Sequence, residues 1–245
     1  MAMIRLGVTG TDTGVGKTTV GRALVGAMRA DGWRVAAMKP VETGVAPDDP
    51  ASDAHALSAA AGGLDAMHDV CPITLAEPLA PWMAARRANR VLSVASLDAS
   101  FVRIAAGADA VLVEGAGGVL VPITLTDTYL SLFQRWCLDA IVVAANRLGA
   151  VNHTLLTVRA LQQGGVDVLG VVLNETADDE PDLARRTNRE TIQALLPDTP
   201  VVSFPWLPAP TNDADLARAV ATAGLRDLLL RATQHQHIEE GLSNR

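Results

Sequence analysis

The stretch Ile4–Gly32, IRLGVTGTDTGVGKTTVGRALVGAMRADG, decides how the rest of the chain is read. It opens with an apolar run, Ile4–Thr9, of the kind that forms a buried strand. It closes with Val20, Ala23, Leu24, Ala27 and Met28 at the spacing of one helix face, and Gly32 stops that helix. Between them, Gly16-Lys17-Thr18 ends like a phosphate-binding loop. The usual pattern puts a glycine five positions before the second glycine; here Thr11 stands there and Gly10 comes one place early. The context still supplies what the chemistry needs. A tight turn from strand to helix aims backbone N–H groups and the positive end of the helix dipole at an anion. Lys17 can reach β- and γ-phosphate oxygens, and the Thr18 hydroxyl suits Mg²⁺.

Further apolar segments repeat the strand–helix alternation. Arg34–Lys39, Ala110–Glu114, Ala140–Ala145, Val168–Leu173 and Val201–Ser203 read as strands, most of them rich in Val, Leu or Ile without polar alternation. Helices are expected over Asp53–Ala61, Ser93–Ala106, Asp127–Trp136, Asn152–Gln163, Asp182–Leu195 and Asp213–Ala223, with surface loops at Gly44–Ser52 and Glu175–Pro181. Continuous apolar strands separated by helices mean a parallel sheet covered on both faces. The expected fold is therefore α/β, doubly wound and P-loop NTPase-like, as a single ATP-binding domain over residues 1–233 with a polar, frayed tail at 234–245. Its ligands belong at the carboxyl ends of the strands.

Composition narrows the function classes. The 245 residues carry a formal net charge of -7, and basic residues occur in scattered pairs such as Arg86-Arg87 and Arg185-Arg186. No nucleic-acid partner is expected from that distribution. No apolar run approaches the ~18 residues that span a bilayer, and the N-terminus shows no secretory pattern, so a cytoplasmic protein is expected. Cys71 and Cys137 suit reduced thiols, and His68 and Cys71 have ligand-like spacing without a second pair. All but two of the 20 basic residues are arginine, and the two lysines are Lys17 and Lys39. Lysine is a compact point charge and arginine a planar fork, so lysine survives where only a point charge fits between oxygens.

Four further stretches carry chemistry. AVLVEGAGG delivers Glu114 at a strand end, where a carboxylate can hold Mg²⁺, and Gly115, Ala116 and Gly117 allow close approach of phosphates. MKPVETG puts Lys39 at the end of the second strand, with the Thr43 hydroxyl nearby and Asp53 following as a candidate third Mg²⁺ ligand or helix cap. VLGVVLNET ends in Asn174, where purine readers sit; a guanine reader adds Asp three positions on, and Ala177 stands there, which favours adenine. NRLGAVNH opens a helix at Gly149–Asn152, which can hold an anion or simply be capped by Asn152.

GTDTGVGKT, KPVETG, SDAHAL, EGAGG, LGAVNH and FPWL together resemble the dethiobiotin synthetases, and the match runs from near residue 10 to near residue 207. That resemblance implies a homodimer that makes dethiobiotin from 7,8-diaminononanoate, CO2 and ATP. It implies ATP phosphates on Gly14, Val15, Gly16, Lys17, Thr18 and Thr19, Mg²⁺ on Thr18, Asp53 and Glu114, and catalytic roles for Lys39 and Lys17. It also implies an adenine pocket from Asn174, Glu175, Pro205, Trp206 and Leu207. The substrate would contact Thr43, where the family carries serine. Its carboxylate would meet Gly149, Ala150, Val151 and Asn152 across the dimer interface. A partition- or septum-type regulatory ATPase is the alternative. Those proteins carry a second lysine early in the loop, where this chain has Asp12, and a basic amphipathic tail, where it has Glu239 and Glu240.

Overall fold

The computed structural model describes residues 3–46 and 49–243, with side chains as far as residue 235. A six-stranded sheet in the order β2-β5-β1-β6-β7-β8 forms its centre. The strands are β1 (Ile4–Gly10), β2 (Val35–Met38), β5 (Ala110–Gly118), β6 (Asp139–Ala145), β7 (Val168–Asn174) and β8 (Val201–Phe204), and every pairing among them is parallel. β5 runs four residues beyond the expected end at Glu114, because the glycine-rich segment stays extended and Gly118 pairs with Gly10.

Period-two side chains divide the core in two. From β5, Val111 and Val113 face one cluster while Ala110 and Leu112 face the other. From β6, Val142 and Ala144 face the first, and Ile141 and Val143 the second. The second cluster lies under α1 (Lys17–Ala30), α2 (Asp53–Ala60), α9 (Asp213–Ala223) and α10 (Leu225–Ser243). The first lies under α4 (Pro81–Arg87), α5 (Val94–Ala105), α6 (Tyr129–Arg135), α7 (Ala150–Gln163) and α8 (Leu183–Leu195). Val20, Ala23, Leu24, Ala27 and Met28 of α1 are all buried, as their spacing predicts. Fully burying one Leu-sized side chain is worth about 1.5–3 kcal/mol, so such stripes hold the layers together.

Three features differ from the expectation. The 34–75 region carries a second, two-stranded parallel sheet of β3 (Val41–Thr43) and β4 (Ile73–Leu75), with the short α3 (Met67–Val70) before β4. Strands of three residues have too little length to show a period. α4 was also unforeseen, although Pro81 at its first position is a helix-start signal. Finally, the segment expected to be frayed from 234 continues α10 as far as Ser243, while residues 244–245 lie outside the description. His235 on α10 lies 3.5 Å from Asp139 and 3.3 Å from Asp167, at the starts of β6 and β7. The expected loop Gly44–Ser52 is irregular where described; positions 47 and 48 fall outside the described residues. Cys71 and Cys137 are both free. Among the described residues no helix is long and apolar enough to cross a membrane.

Candidate active site

The parallel register brings the charged groups together. Met38 pairs with Val113 and Val8 with Glu114, so the residue after β2, Lys39, arrives beside Glu114. On the other side of Glu114, β1 leads through the loop into α1, whose second residue is Thr18. Lys39 Nζ donates to Glu114 Oε1 at 2.5 Å and to Asp53 Oδ2 at 2.5 Å. Thr18 donates its hydroxyl to the same Glu114 Oε1 at 2.9 Å. Lys17 is buried, and its Nζ reaches the Asp12 carbonyl at 3.3 Å. Two ammonium groups and two carboxylates, drawn from four separated parts of the chain, thus meet at the carboxyl end of the sheet.

Burial and pairing compete at each group. Burial acts to lower the Lys39 pKa, but Glu114 and Asp53 outweigh it and raise the value, so the ammonium stays charged. Burial raises the Glu114 pKa more than Lys39 lowers it. At Asp53 burial acts upward, yet Lys39 wins and the pKa falls. Lys17 is lowered, with burial the largest cause and Glu114 opposing it. Glu114 Oε2 is buried without a hydrogen-bond partner among the described residues. An orphaned carboxylate oxygen beside a hydroxyl and a second carboxylate is an all-oxygen donor set, the kind that suits a hard divalent cation.

Helix starts differ in how they are closed. α1 begins after Gly16, whose φ of 90° is left-handed, and no side chain caps it. Its N–H groups are left for a ligand. A Cβ on Gly16 would lie 2.1 Å from Asn174 Nδ2, which donates to the Val15 carbonyl at 2.9 Å. Asn174 therefore braces the loop from the neighbouring strand end. α7 likewise starts without a side-chain cap, after Gly149, so Asn152 lies inside the helix and does not cap it. α2 is closed: Ser52 accepts from the His55 N–H, and Glu42 accepts from the Asp53 N–H at 2.7 Å and the Ala54 N–H at 3.1 Å.

A cavity of about 800 Å³ opens beside the charged cluster. Gly14, Gly16, Lys17, Thr18, Thr19, Lys39, Thr43, Asp53, Ala116 and Gly117 line it, so most of the expected phosphate, metal and substrate residues do converge. Val45, Pro78, Leu79 and Val121 form an apolar portion of the wall, drawn partly from the chain between β4 and α4. The residues expected to hold a purine gather elsewhere. Asn174 pairs with Phe204, and the Glu175 N–H donates to the Phe204 carbonyl at 2.9 Å, which sets Asn174 and Glu175 beside the segment Pro205, Trp206 and Leu207. The Glu175 carboxylate is engaged there, accepting from Asn146 at 2.6 Å and from Arg185 at 2.8 Å, with Asn188 donating to Asn146 at 2.9 Å. Neither this group nor Gly149–Asn152 lines the 800 Å³ cavity. Sequence reasoning missed Glu42, Asn146, Arg185 and Asn188. Their partners lie 10–42 positions away in sequence, the 11- and 12-position steps of Glu42 to α2 among them.

The fold and the loop define a P-loop nucleotide-binding protein, and a family model described as an AAA domain matches residues 5–214. The chain is 46% identical over 225 residues to the ATP-dependent dethiobiotin synthetase BioD of Anaeromyxobacter dehalogenans (strain 2CP-C), covering 89% of this chain and 94% of that protein. It is 33% identical over 227 residues to the protein of the same name from Aquifex aeolicus (strain VF5), covering 93% and 98%. Against that of Bacillus cereus (strain B4264) it is 35% identical over 188 residues, 77% of each. The chain belongs to the dethiobiotin synthetase family.

Proposed function

We propose that the protein is an ATP-dependent ligase of biotin biosynthesis that closes 7,8-diaminononanoate and CO2 into dethiobiotin, releasing ADP and phosphate. The observation that carries this reading is Lys39. In an arginine-rich chain it is a buried lysine, held between two carboxylates beside an uncapped phosphate loop.

One amine and CO2 form a carbamate. A carbamate oxygen attacks the γ-phosphorus of ATP, ADP leaves, and a carbamic–phosphoric anhydride results. The second amine then attacks the carbonyl carbon, phosphate departs with the C–O bond electrons, and the amine loses a proton as the cyclic urea closes. Phosphoryl transfer of this kind asks for positioning and charge neutralisation more than covalent help. The uncapped N–H groups of α1 and Lys17 hold the phosphates. Lys39 neutralises the carbamate and transferring oxygens as a point charge. The Thr43 hydroxyl orients the diamine. Mg²⁺ held by Thr18, Asp53 and Glu114 would supply further neutralisation on the β- and γ-phosphates, and the orphaned Glu114 oxygen supports that assignment. Adenine rests against Asn174, Glu175 and Pro205–Leu207, where Glu175 shapes the pocket while its carboxylate stays bound to Asn146 and Arg185.

The substrate's carboxylate goes to the uncapped start of α7, Gly149–Asn152, of a second copy in a homodimer. Two features support this. That start does not line the cavity beside its own phosphate loop. Its neighbour Leu148 is 84% exposed, with Leu120, Leu125 and Leu156 also exposed. The decisive experiment is mass spectrometry of a reaction of the diamine, bicarbonate, Mg²⁺ and ATP. A cyclic urea formed one-for-one with ADP is expected. ATP turnover that requires DNA or lipid instead would favour the regulatory-ATPase alternative.

A further inference from the structure

Glu42 is 4% exposed and sits in β3, three residues after Lys39 and one before Thr43. A carboxylate buried that deeply must be matched by donors. Its two oxygens accept from the first two backbone N–H groups of α2, those of Asp53 and Ala54. With Ser52 on the His55 N–H, the first three donors of α2 are satisfied. α2 is therefore shut against an outside anion, unlike α1. The residue at the first position of α2 is Asp53, whose Oδ2 reaches Lys39. Asp53 is also the most exposed member of the charged cluster, with its side chain 46% exposed against 4% for Lys39 and none for Glu114. Packing alone does not hold it. Its backbone is pinned from the same short strand that carries Thr43 and follows Lys39.

We infer that Glu42 is a positioning residue that presents Asp53 to the metal–nucleotide complex by clamping the start of α2. The inference rests on the proposed role of Asp53 in holding Mg²⁺. Partners that orient a ligand typically change metal affinity by ~10–100-fold when removed. A clamp on the backbone, one step further out, belongs at the lower end, roughly tenfold.

The test compares Glu42→Ala and Glu42→Gln with the unmodified protein. The readouts are Mn²⁺ binding in the presence of ATP by electron paramagnetic resonance, the Mg²⁺ dependence of turnover, and thermal melting. Glu42→Ala is expected to weaken Mn²⁺ binding roughly tenfold, with kcat at saturating metal largely kept. Glu42→Gln should fall between, because its carbonyl oxygen can still accept from the Asp53 N–H, and it serves if the alanine variant does not fold. In an Asp53→Ala background the effect of Glu42→Ala on Mn²⁺ should vanish, since nothing is left to present. A lowered melting temperature with unchanged Mn²⁺ affinity would reduce Glu42 to a helix cap and overturn the inference. So would additive effects of the two alanine substitutions. Failure of the unmodified protein to make the cyclic urea would strike the proposed reaction alone, because Mn²⁺ binding is read without turnover.

Discussion

Lys39 can be replaced so as to separate charge from shape. Its side chain is 4% exposed, and its ammonium stands 2.5 Å from Glu114 and 2.5 Å from Asp53. Lys39→Met keeps most of the length and removes the charge. Glu114 then stays fully buried with one hydroxyl donor, from Thr18. Breaking a buried pair on one side costs ~3–5 kcal/mol. Water already reaches Asp53 and can take over its share, so the loss belongs near the lower bound, ~3 kcal/mol. Lys39→Arg keeps the charge but forces a planar fork into a space that holds one nitrogen between two oxygens. Overpacking of that kind costs ~1–3 kcal/mol. Stability therefore ranks Lys above Arg above Met. Turnover should not follow that ranking. Losing one correctly placed donor to transition-state charge costs ~2.7–4 kcal/mol, or ~10²–10³ in kcat, and the fork misplaces its donors about as badly as methionine lacks them. Both variants should bind ATP, because Lys17 and the loop backbone remain. Urea denaturation, nucleotide titration and single-turnover cyclisation measure the three quantities. Adding Glu114→Gln to Lys39→Met should recover stability without recovering turnover. If Lys39→Arg cyclises within a few-fold of the unmodified protein, the position needs only charge, and the two surviving lysines lose their meaning as a functional signal.

Gly16→Ala should cost roughly 2–3 kcal/mol, from ~1–2 for a left-handed non-glycine residue plus ~1 for the displaced Asn174 hydrogen bond; it should weaken ATP binding in calorimetry, and unchanged affinity would remove Asn174 from the loop's support. Glu114 has a raised pKa, so it takes up a proton as pH falls before an ordinary glutamate does. In the metal-free protein its carboxyl should therefore take up a proton above the usual ~4.3, as read by infrared or NMR titration. Uptake at or below that value would show that the Lys39 ammonium outweighs burial at Glu114. ATP should be preferred to GTP by roughly tenfold or more, since guanine's donors would go unpaired at ~1–3 kcal/mol. Ala177 has no side-chain acceptor, and Glu175 is already engaged by Asn146 and Arg185. Equal kcat/KM for the two nucleotides would contradict that reading.

What could be read in the sequence depended on how local the physics is. β1, α1 and the apolar strands were legible because burial imposes its period within a few residues. The convergence of Lys39 and Glu114 was legible one step further, because Lys39 follows β2 and Glu114 closes the apolar run of its parallel neighbour β5. Glu42 was not. It sits between Lys39 and Thr43 in MKPVETG without a motif of its own, and its partners, the Asp53 and Ala54 N–H groups, come from α2. The Asn146–Glu175–Arg185–Asn188 network was hidden for the same reason, since it joins the ends of β6 and β7 to α8. The apolar wall from the chain between β4 and α4 escaped because Pro78–Ala80 carries no motif, although Pro81 is a helix-start signal. The reach of α10 to Ser243 was hidden because a polar stretch carries no apolar period, although the chain from Leu225 to Ser243 contains no proline to stop a helix.

The displaced glycine of the phosphate loop has a physical account. A Cβ at position 10 would lie 2.8 Å from the Asp12 carbonyl oxygen, 2.9 Å from Val15 Cγ2 and 3.1 Å from Lys17 Nζ. The loop folds back over the end of β1, and position 10 is where it has no room for a side chain. Thr11 instead continues the sheet's pattern, its N–H donating to the Val143 carbonyl of β6 at 3.0 Å. Asp12 then closes the turn: its carbonyl accepts from Lys17, and its carboxylate accepts from the Thr13 N–H at 2.7 Å and from Arg147 at 3.1 Å. Arg147 belongs to the connection that leads into α7, so the position filled by lysine in partition ATPases here ties the phosphate loop to the uncapped start of α7. A pattern keyed to one spacing rejects this loop. The requirement behind the pattern, a residue without a side chain where the backbone turns back on the lysine, is met one position earlier.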